Sequence, residues 1–231
     1  MRGSEYDERS RHPFTGHGFG VVTGSEPARA RGRTLMPDTA PAPGLHPIFS
    51  LPNPERCRRI RADRRLSICL HELGHFLVAR KLKAPFAALA LPDLGPDVDW
   101  NAPAHLPSVV ISTKGLSQRA KLGISVTGYA GELCLFDKEY VQAGKEIHVC
   151  AAACANDAAA IIKDGNLPVS PGNDPGEIQR VLIGCIQALR FEPYNMLYDD
   201  VVGFRQRVTT LHDTWQGHGF RGMAVTGDVL D

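Results

Sequence analysis

Leu66-Ser67-Ile68-Cys69-Leu70-His71-Glu72-Leu73-Gly74-His75-Phe76-Leu77-Val78-Ala79-Arg80-Lys81-Leu82 is the most informative stretch of this 231-residue chain. Leu66, Leu70, Leu73 and Leu77 recur at spacings of three and four with Phe76 beside them, which is the period of one helix face. Lys81 and Lys83 stand where cations favour a helix C-terminus, and Pro85 stops the pattern. The spacing predicts a helix from about Asp63 to Leu82. Inside it lies His71-Glu72-Leu73-Gly74-His75, an H-E-x-x-H. At about 3.6 residues per turn, His71 and His75 face the same way, so both imidazoles can meet one metal ion. Neutral imidazole suits Zn²⁺. Glu72, about 100° further round the helix, is placed to take a proton from a metal-activated water without being a ligand. Gly74 clears a side chain from the same surface and permits close approach of another backbone. Glu and His are costly inside so apolar a helix unless paired or metal-bound.

Outward from this helix, Phe86 to Leu91 precedes a loop rich in Pro and Asp that runs to about Pro107 and contains Asp99 and Trp100. Ser108-Val109-Val110-Ile111-Ser112 reads as a short strand. Apolar helices are expected from about Ser117 to Phe136 and, rich in Ala, from Ile147 to Lys163. Asn173-Asp174-Pro175-Gly176-Glu177 is a helix start, with a polar cap, Pro in the first turn and then an acid. That helix should reach about Arg190, and a last one should span Tyr194 to Leu211. The expected fold is mainly α with a small β-sheet, an α+β domain.

Residues 1–54 hold 8 of the 17 prolines and 7 glycines with little hydrophobic periodicity. They read as a flexible, disordered leader ahead of a domain at 55–231. Removing such a leader should leave thermal stability nearly unchanged. Residues 1–65 carry 12 Arg against 7 acids, and the rest 14 bases against 18 acids, for a net charge of +1. The dense run Arg56-Cys57-Arg58-Arg59-Ile60-Arg61-Ala62-Asp63-Arg64-Arg65 lacks interleaved aromatics. It reads as a solvated helix face rather than a nucleic-acid or lipid contact, and near-neutral charge gives no general case for nucleic acid. No apolar run is long enough to span a membrane and no export signal opens the chain, so a soluble, cytoplasmic protein is expected. Cys57, Cys69, Cys134, Cys150, Cys154 and Cys185 are then expected as free thiols. Cys150 and Cys154 could face one way and bind metal or oxidise, but two thiols alone do not complete a zinc site. His12, His17, His46, His105, His212 and His218 are expected at the surface.

Leu70-His71-Glu72-Leu73-Gly74-His75-Phe76-Leu77-Val78-Ala79-Arg80 resembles the zinc-binding helix of the FtsH-type metalloproteases, usually written HEAGHALVA. Gly128-Tyr129-Ala130-Gly131-Glu132-Leu133-Cys134-Leu135-Phe136 is similar to that family's second helix, L-x-G-R-x-A-E-x-x-x-F, without its Arg and Ala. The resemblance covers roughly residues 63 to 200. It implies a zincin-like helical metallopeptidase domain that hydrolyses peptide or protein substrates. The family's ATPase module has no counterpart here, since no G-x-x-x-x-G-K-[ST] loop exists, so no ATP-driven unfolding is expected.

A catalytic zinc needs a third protein ligand. In the FtsH-type family it is an Asp in a G-A-S-N-D-L-x-x-A-T stretch after the second helix. Two Asn-Asp pairs follow here, Asn156-Asp157 and Asn173-Asp174. Helix capping accounts for Asp174, whereas Asp157 stands among alanines with no local role. Asp157 is preferred, Asp174 comes next, and Glu132 or His148 remain. Glu132 would serve in a two-His-one-Glu site; otherwise it is an acid packed beside the zinc helix. The expected function is a zinc metalloendopeptidase with His71, His75 and Asp157 as ligands and Glu72 as general base. A catalytically silent module in which zinc only fixes the helices is the alternative. Oligomeric state is not legible in the sequence.

Overall fold

The computed structural model describes residues 44–62, 64–95, 108–143, 151–167 and 174–225. Helix α1 (Asn53–Ala62) leads into α2 (Arg64–Lys81), the helix that carries the H-E-x-x-H. Strands β1 (Phe86–Leu91) and β2 (Ser108–Ser112) follow, then α3 (Gln118–Leu133), α4 (Lys138–Gln142), α5 (Ala151–Gly165) and α6 (Pro175–Ala188). The chain closes with α7 (Glu192–Tyr198), α8 (Val201–Gly217) and β3 (Met223–Val225). The fold is mainly helical with one three-stranded antiparallel sheet in the order β2-β1-β3, the class read from the sequence.

Helix α2 is the centre of this arrangement, buried from Leu66 to Phe76 without a break. Its Leu stripe explains only one face. The others are covered because α1, α3, α7, α8 and the sheet all pack against it. Alternation along β1 supplies the sheet's contact: Leu89 and Leu91 are buried, with Leu89 in register with Val109 of β2 and Val225 of β3. Phe86 and Val110, on the other face, are more than half exposed.

The approach of α3 to α2 is set by glycine. A Cβ on Gly74 would lie 2.5 Å from the Thr127 carbonyl oxygen, and one on Gly131 would lie 3.3 Å from Gly74 Cα. With no side chains there, the two backbones touch, and Leu70, His71, Gly74 and His75 face α3 at contact distance. The predicted cap at Asp174 is present, its Oδ2 accepting from Glu177 N at 3.0 Å, and Ser117, where the α3 helix was expected to begin, caps it by accepting from Ala120 N at 3.2 Å.

The packing corrects several expectations. The last helix is two, because Asp200 leaves helical geometry and caps a new start by accepting from Gly203 N at 3.2 Å. Strand β3 was not legible, its three residues being too few for a period. The leader does not extend to residue 54. Pro47–Ser50 form a 3₁₀ turn whose Ile48 and Phe49 are buried in the main core. Residues 1–43 lie outside the described set. Phe49→Ala is therefore expected to cost about 3–5 kcal/mol, as for other buried aromatic truncations. Chemical denaturation checks this; a change within error would return these residues to the leader.

Arg56 is buried rather than solvated. It donates to the carbonyls of Phe49 (2.8 Å), Leu51 (2.6 Å) and Leu135 (2.8 Å) and pairs with Asp137 at 3.0 Å. Arg205 donates to the carbonyls of Cys134 (2.9 Å) and Phe136 (3.0 Å). Together the two guanidiniums satisfy carbonyls left over at the end of α3, the turn that carries Glu132. Elsewhere in the basic run, Arg58 and Arg59 pair with Glu55, and Arg65 lies 3.9 Å from the centre of the Phe220 ring. Arg58, Arg59, Arg61 and Arg64 are exposed, so most of the run is the solvated face expected and Arg56 is the exception. His212 is likewise buried, on α8, its ring 5.1 Å from that of His46, whereas His218 is exposed as expected. Cys57, Cys69, Cys134, Cys154 and Cys185 are free thiols. His12, His17, Asp99, Trp100, His105, His148 and Cys150 fall outside the described residues. Among those described, no helix is long and apolar enough to cross a membrane.

Candidate metal centre

His71 and His75 stand one turn apart on the face of α2 that meets α3, and both rings are nearly inaccessible, at 2% and 7% exposed. Each ring is held through Nδ1. His71 Nδ1 lies 2.8 Å from Glu132 Oε1 of α3, and His75 Nδ1 lies 2.8 Å from the Ile124 carbonyl oxygen, also on α3. A carbonyl can only accept, so the His75 proton sits on Nδ1; the Glu132 carboxylate makes the same demand of His71. The Ile124 carbonyl also accepts from the Thr127 hydroxyl, which fixes it further.

With Nδ1 committed, each neutral ring turns an Nε2 lone pair to the same place. The two Nε2 atoms are 3.2 Å apart, and Asp157 Oδ2 from α5 lies 3.1 Å from both. Three acceptor atoms thus form a nearly equilateral triangle. Tetrahedral zinc with bonds of about 2.0–2.1 Å separates its N and O ligands by about 3.3–3.4 Å, so the triangle is within a few tenths of an ångström of that spacing. Gly128 contributes by lacking a side chain: a Cβ there would lie 2.3 Å from His71 Nε2 and 2.5 Å from His75 Nε2.

The site's electrostatics favour a cation. Burial alone would lower the His71 pKa, but the charge and hydrogen bond of Asp157 outweigh it and hold the ring well above its ordinary value. His75 is raised by the same balance. Burial would push Asp157 up, yet the two histidines hold it far below the usual carboxylate range. Lone pairs this close repel unless a positive charge sits among them. A proton can play that part for one pair, and a divalent ion for all three.

Glu72 is 4% exposed and accepts no hydrogen bond among the described residues. Burial raises its pKa, an effect partly offset by His71 and His75. A buried carboxylate with no hydrogen-bond donor among the described residues, beside a cation-seeking triad, suits proton transfer better than structural support.

The predicted ligands His71, His75 and Asp157 are therefore together, with Glu72 beside them. Asp174 is not part of the site, since its carboxylate caps α6. Glu132 lies behind His71 on its Nδ1 side rather than with the Nε2 atoms, the arrangement that orients a ligand histidine. Sequence reasoning considered Cys154 only as a partner of Cys150 and did not place it here, buried 3.8 Å from both His71 Nδ1 and Glu132 Oε1. Its spacing of three from Asp157 on a helix was the signal available. His71, Glu132 and Cys154 form a second donor group. The Nε2 set is the better zinc site, because its lone pairs are free whereas His71 Nδ1 is engaged by Glu132.

Gly128→Ala should remove metal binding while leaving the helices formed, since the methyl group occupies the place to which the two imidazoles point. Metal analysis beside far-ultraviolet circular dichroism checks this; full occupancy in the variant would mean the metal lies elsewhere. No protein-family model matches the chain, and neither a curated protein nor a solved structure matches it.

Proposed function

We propose that the protein is a zinc-dependent metallopeptidase in which His71, His75 and Asp157 hold Zn²⁺ and Glu72 is the general base. The observation that carries this reading is the convergence of three buried lone pairs within 3.2 Å, with their ring protons held elsewhere by Glu132 and Ile124. Zinc, when bound, supplies a Lewis acid that polarises a carbonyl and acidifies water. The chain's own residues do the rest. Glu132 and the Ile124 carbonyl keep both imidazoles in the Nδ1–H tautomer. Glu72 takes the proton of the attacking water and returns it to the leaving amine. Gly128 and Gly131 leave room for the histidine face, and the walls of α2, α3 and α5 exclude bulk water.

The substrate class proposed is an extended peptide. Among the described residues strand β2 is at the edge of the sheet that packs on α2, and a strand edge can pair with an extended chain. A second reading, a catalytically silent zinc-stabilised module, draws support from the depth of the site, where even the Asp157 side chain is only 14% exposed. A structural site takes four protein ligands, and among the described residues the Nε2 set supplies three.

Purified protein should contain about one zinc per chain, as expected for a single three-ligand site, and should cleave members of a peptide library. His71→Ala or His75→Ala should empty the site. Full zinc content in both variants would sink the assignment. Stoichiometric zinc with no cleavage of any peptide would favour the silent module.

A further inference from the structure

We propose that His71, Glu132 and Cys154 form a second metal set, selective for thiophilic divalent ions such as Cd²⁺, that cannot be filled together with the zinc set. The reason is that both sets draw on the one imidazole of His71. This rests on the zinc reading only for the competition between the sets; the second set stands on its own atoms.

All three side chains are buried, and the donor atoms lie close: Nδ1 to Oε1 2.8 Å, and Sγ 3.8 Å from each. With zinc's bonds of about 2.3 Å to sulfur and 2.0–2.1 Å to nitrogen, tetrahedral geometry separates S and N by about 3.6 Å, and the larger Cd²⁺ needs somewhat more. The sulfur distances of 3.8 Å suit either ion. The Nδ1–Oε1 pair must widen, by about half an ångström on zinc's bond lengths and by more for Cd²⁺. Cys154 and Asp157 are three residues apart on α5, so a single helix face offers a carboxylate to one nitrogen of His71 and a thiol to the other.

A neutral imidazole carries one N–H. With the proton on Nδ1, it is given to Glu132 and Nε2 is free for the zinc set. With the proton on Nε2, it is donated to Asp157 Oδ2 at 3.1 Å, and the Nδ1 lone pair opens towards Glu132 and Cys154. The tautomer of His71 therefore selects the site. On binding Cd²⁺, bonds form from the ion to Sγ, Nδ1 and a Glu132 oxygen. The Cys154 S–H bond breaks and its proton leaves to solvent, while the His71 proton only moves from Nδ1 to Nε2. One thiolate and one carboxylate then neutralise the dication inside the protein. The sulfur ligand favours soft ions, in contrast to the N/O donors of the zinc set.

The test is a titration of chelator-treated full-length protein with cadmium chloride, following the sulfur-to-cadmium charge-transfer absorption in the ultraviolet. Wild-type protein should give a saturable band that C154S lacks, and zinc loaded beforehand should weaken that cadmium affinity by at least ~10-fold, the mark of exclusive sites. H75A should lose zinc yet keep the cadmium band, which separates this proposal from failure of the zinc assignment. C154A replaces C154S if circular dichroism shows the serine variant unfolded. A band of equal size in the Cys154 variant, or cadmium affinity unchanged by zinc in protein that demonstrably binds it, would overturn the proposal.

Discussion

Asp157→Ala is expected to lower zinc affinity by orders of magnitude while leaving the protein folded. The carboxylate is the only one of the three converging donors that is not on α2, and it meets both Nε2 atoms at 3.1 Å. Without it, two imidazoles on one helix are left to hold the ion, too few for a closed coordination shell. Two other carboxylates calibrate the result. Glu132→Gln keeps an acceptor near His71 but loses the charge behind the ring, and should cost roughly 10–100-fold in affinity, the usual loss for a partner that orients a ligand. Asp174→Ala should leave zinc untouched and cost about 1 kcal/mol of helix capping, since Asp174 accepts from Glu177 N. Competition against a chelator of known affinity, with thermal denaturation of the metal-free proteins, reads all three. Zinc lost only on changing Asp174 would move the third ligand to α6 and require a different packing of that helix.

Glu72→Gln is expected to keep the metal and lose hydrolysis by about 10²–10⁴-fold, the range for a general base. The amide has nearly the same shape and is too weak a base to accept the water's proton. Glu72 accepts no hydrogen bond among the described residues, so among them the substitution breaks no hydrogen bond that could explain lost activity in another way. Zinc analysis and peptide cleavage on one sample separate the two effects. Turnover comparable to wild type would show that the proton goes elsewhere.

The packing that positions these groups was only partly legible. Helix α2, its boundaries and the facing of His71 and His75 follow from spacing along a single turn-by-turn pattern, and the caps at Ser117 and Asp174 are equally local. Arg56 shows where such reading stops. Its neighbours Arg58 and Arg59 do face solvent beside Glu55, and nothing in the run distinguishes Arg56 from them. Its burial depends on carbonyls from the 3₁₀ turn and from the end of α3, the latter 79 residues away. His212 was misplaced for the same reason: its place at the chain's end says nothing of α8 being packed on α2.

By itself the sequence determined the helical class of the domain, the pair of imidazoles on one face and the glutamate beside them. These are consequences of helical period and of what so apolar a helix can carry. It preferred Asp157 among four candidates for the third ligand, because Asp174 had a local explanation and Asp157 had none. Only the tertiary structure brings Asp157, rather than Asp174, to the two imidazoles, since Asp157 meets His75 across 82 positions of chain through the packing of α5 on α3. The same packing assigned Glu132 to the back of His71, brought Cys154 to its other nitrogen, and made Gly128 and Gly131 places where a methyl group cannot fit. Contacts between distant helices depend on which backbones can approach, and that is settled by the whole core at once rather than by any local pattern.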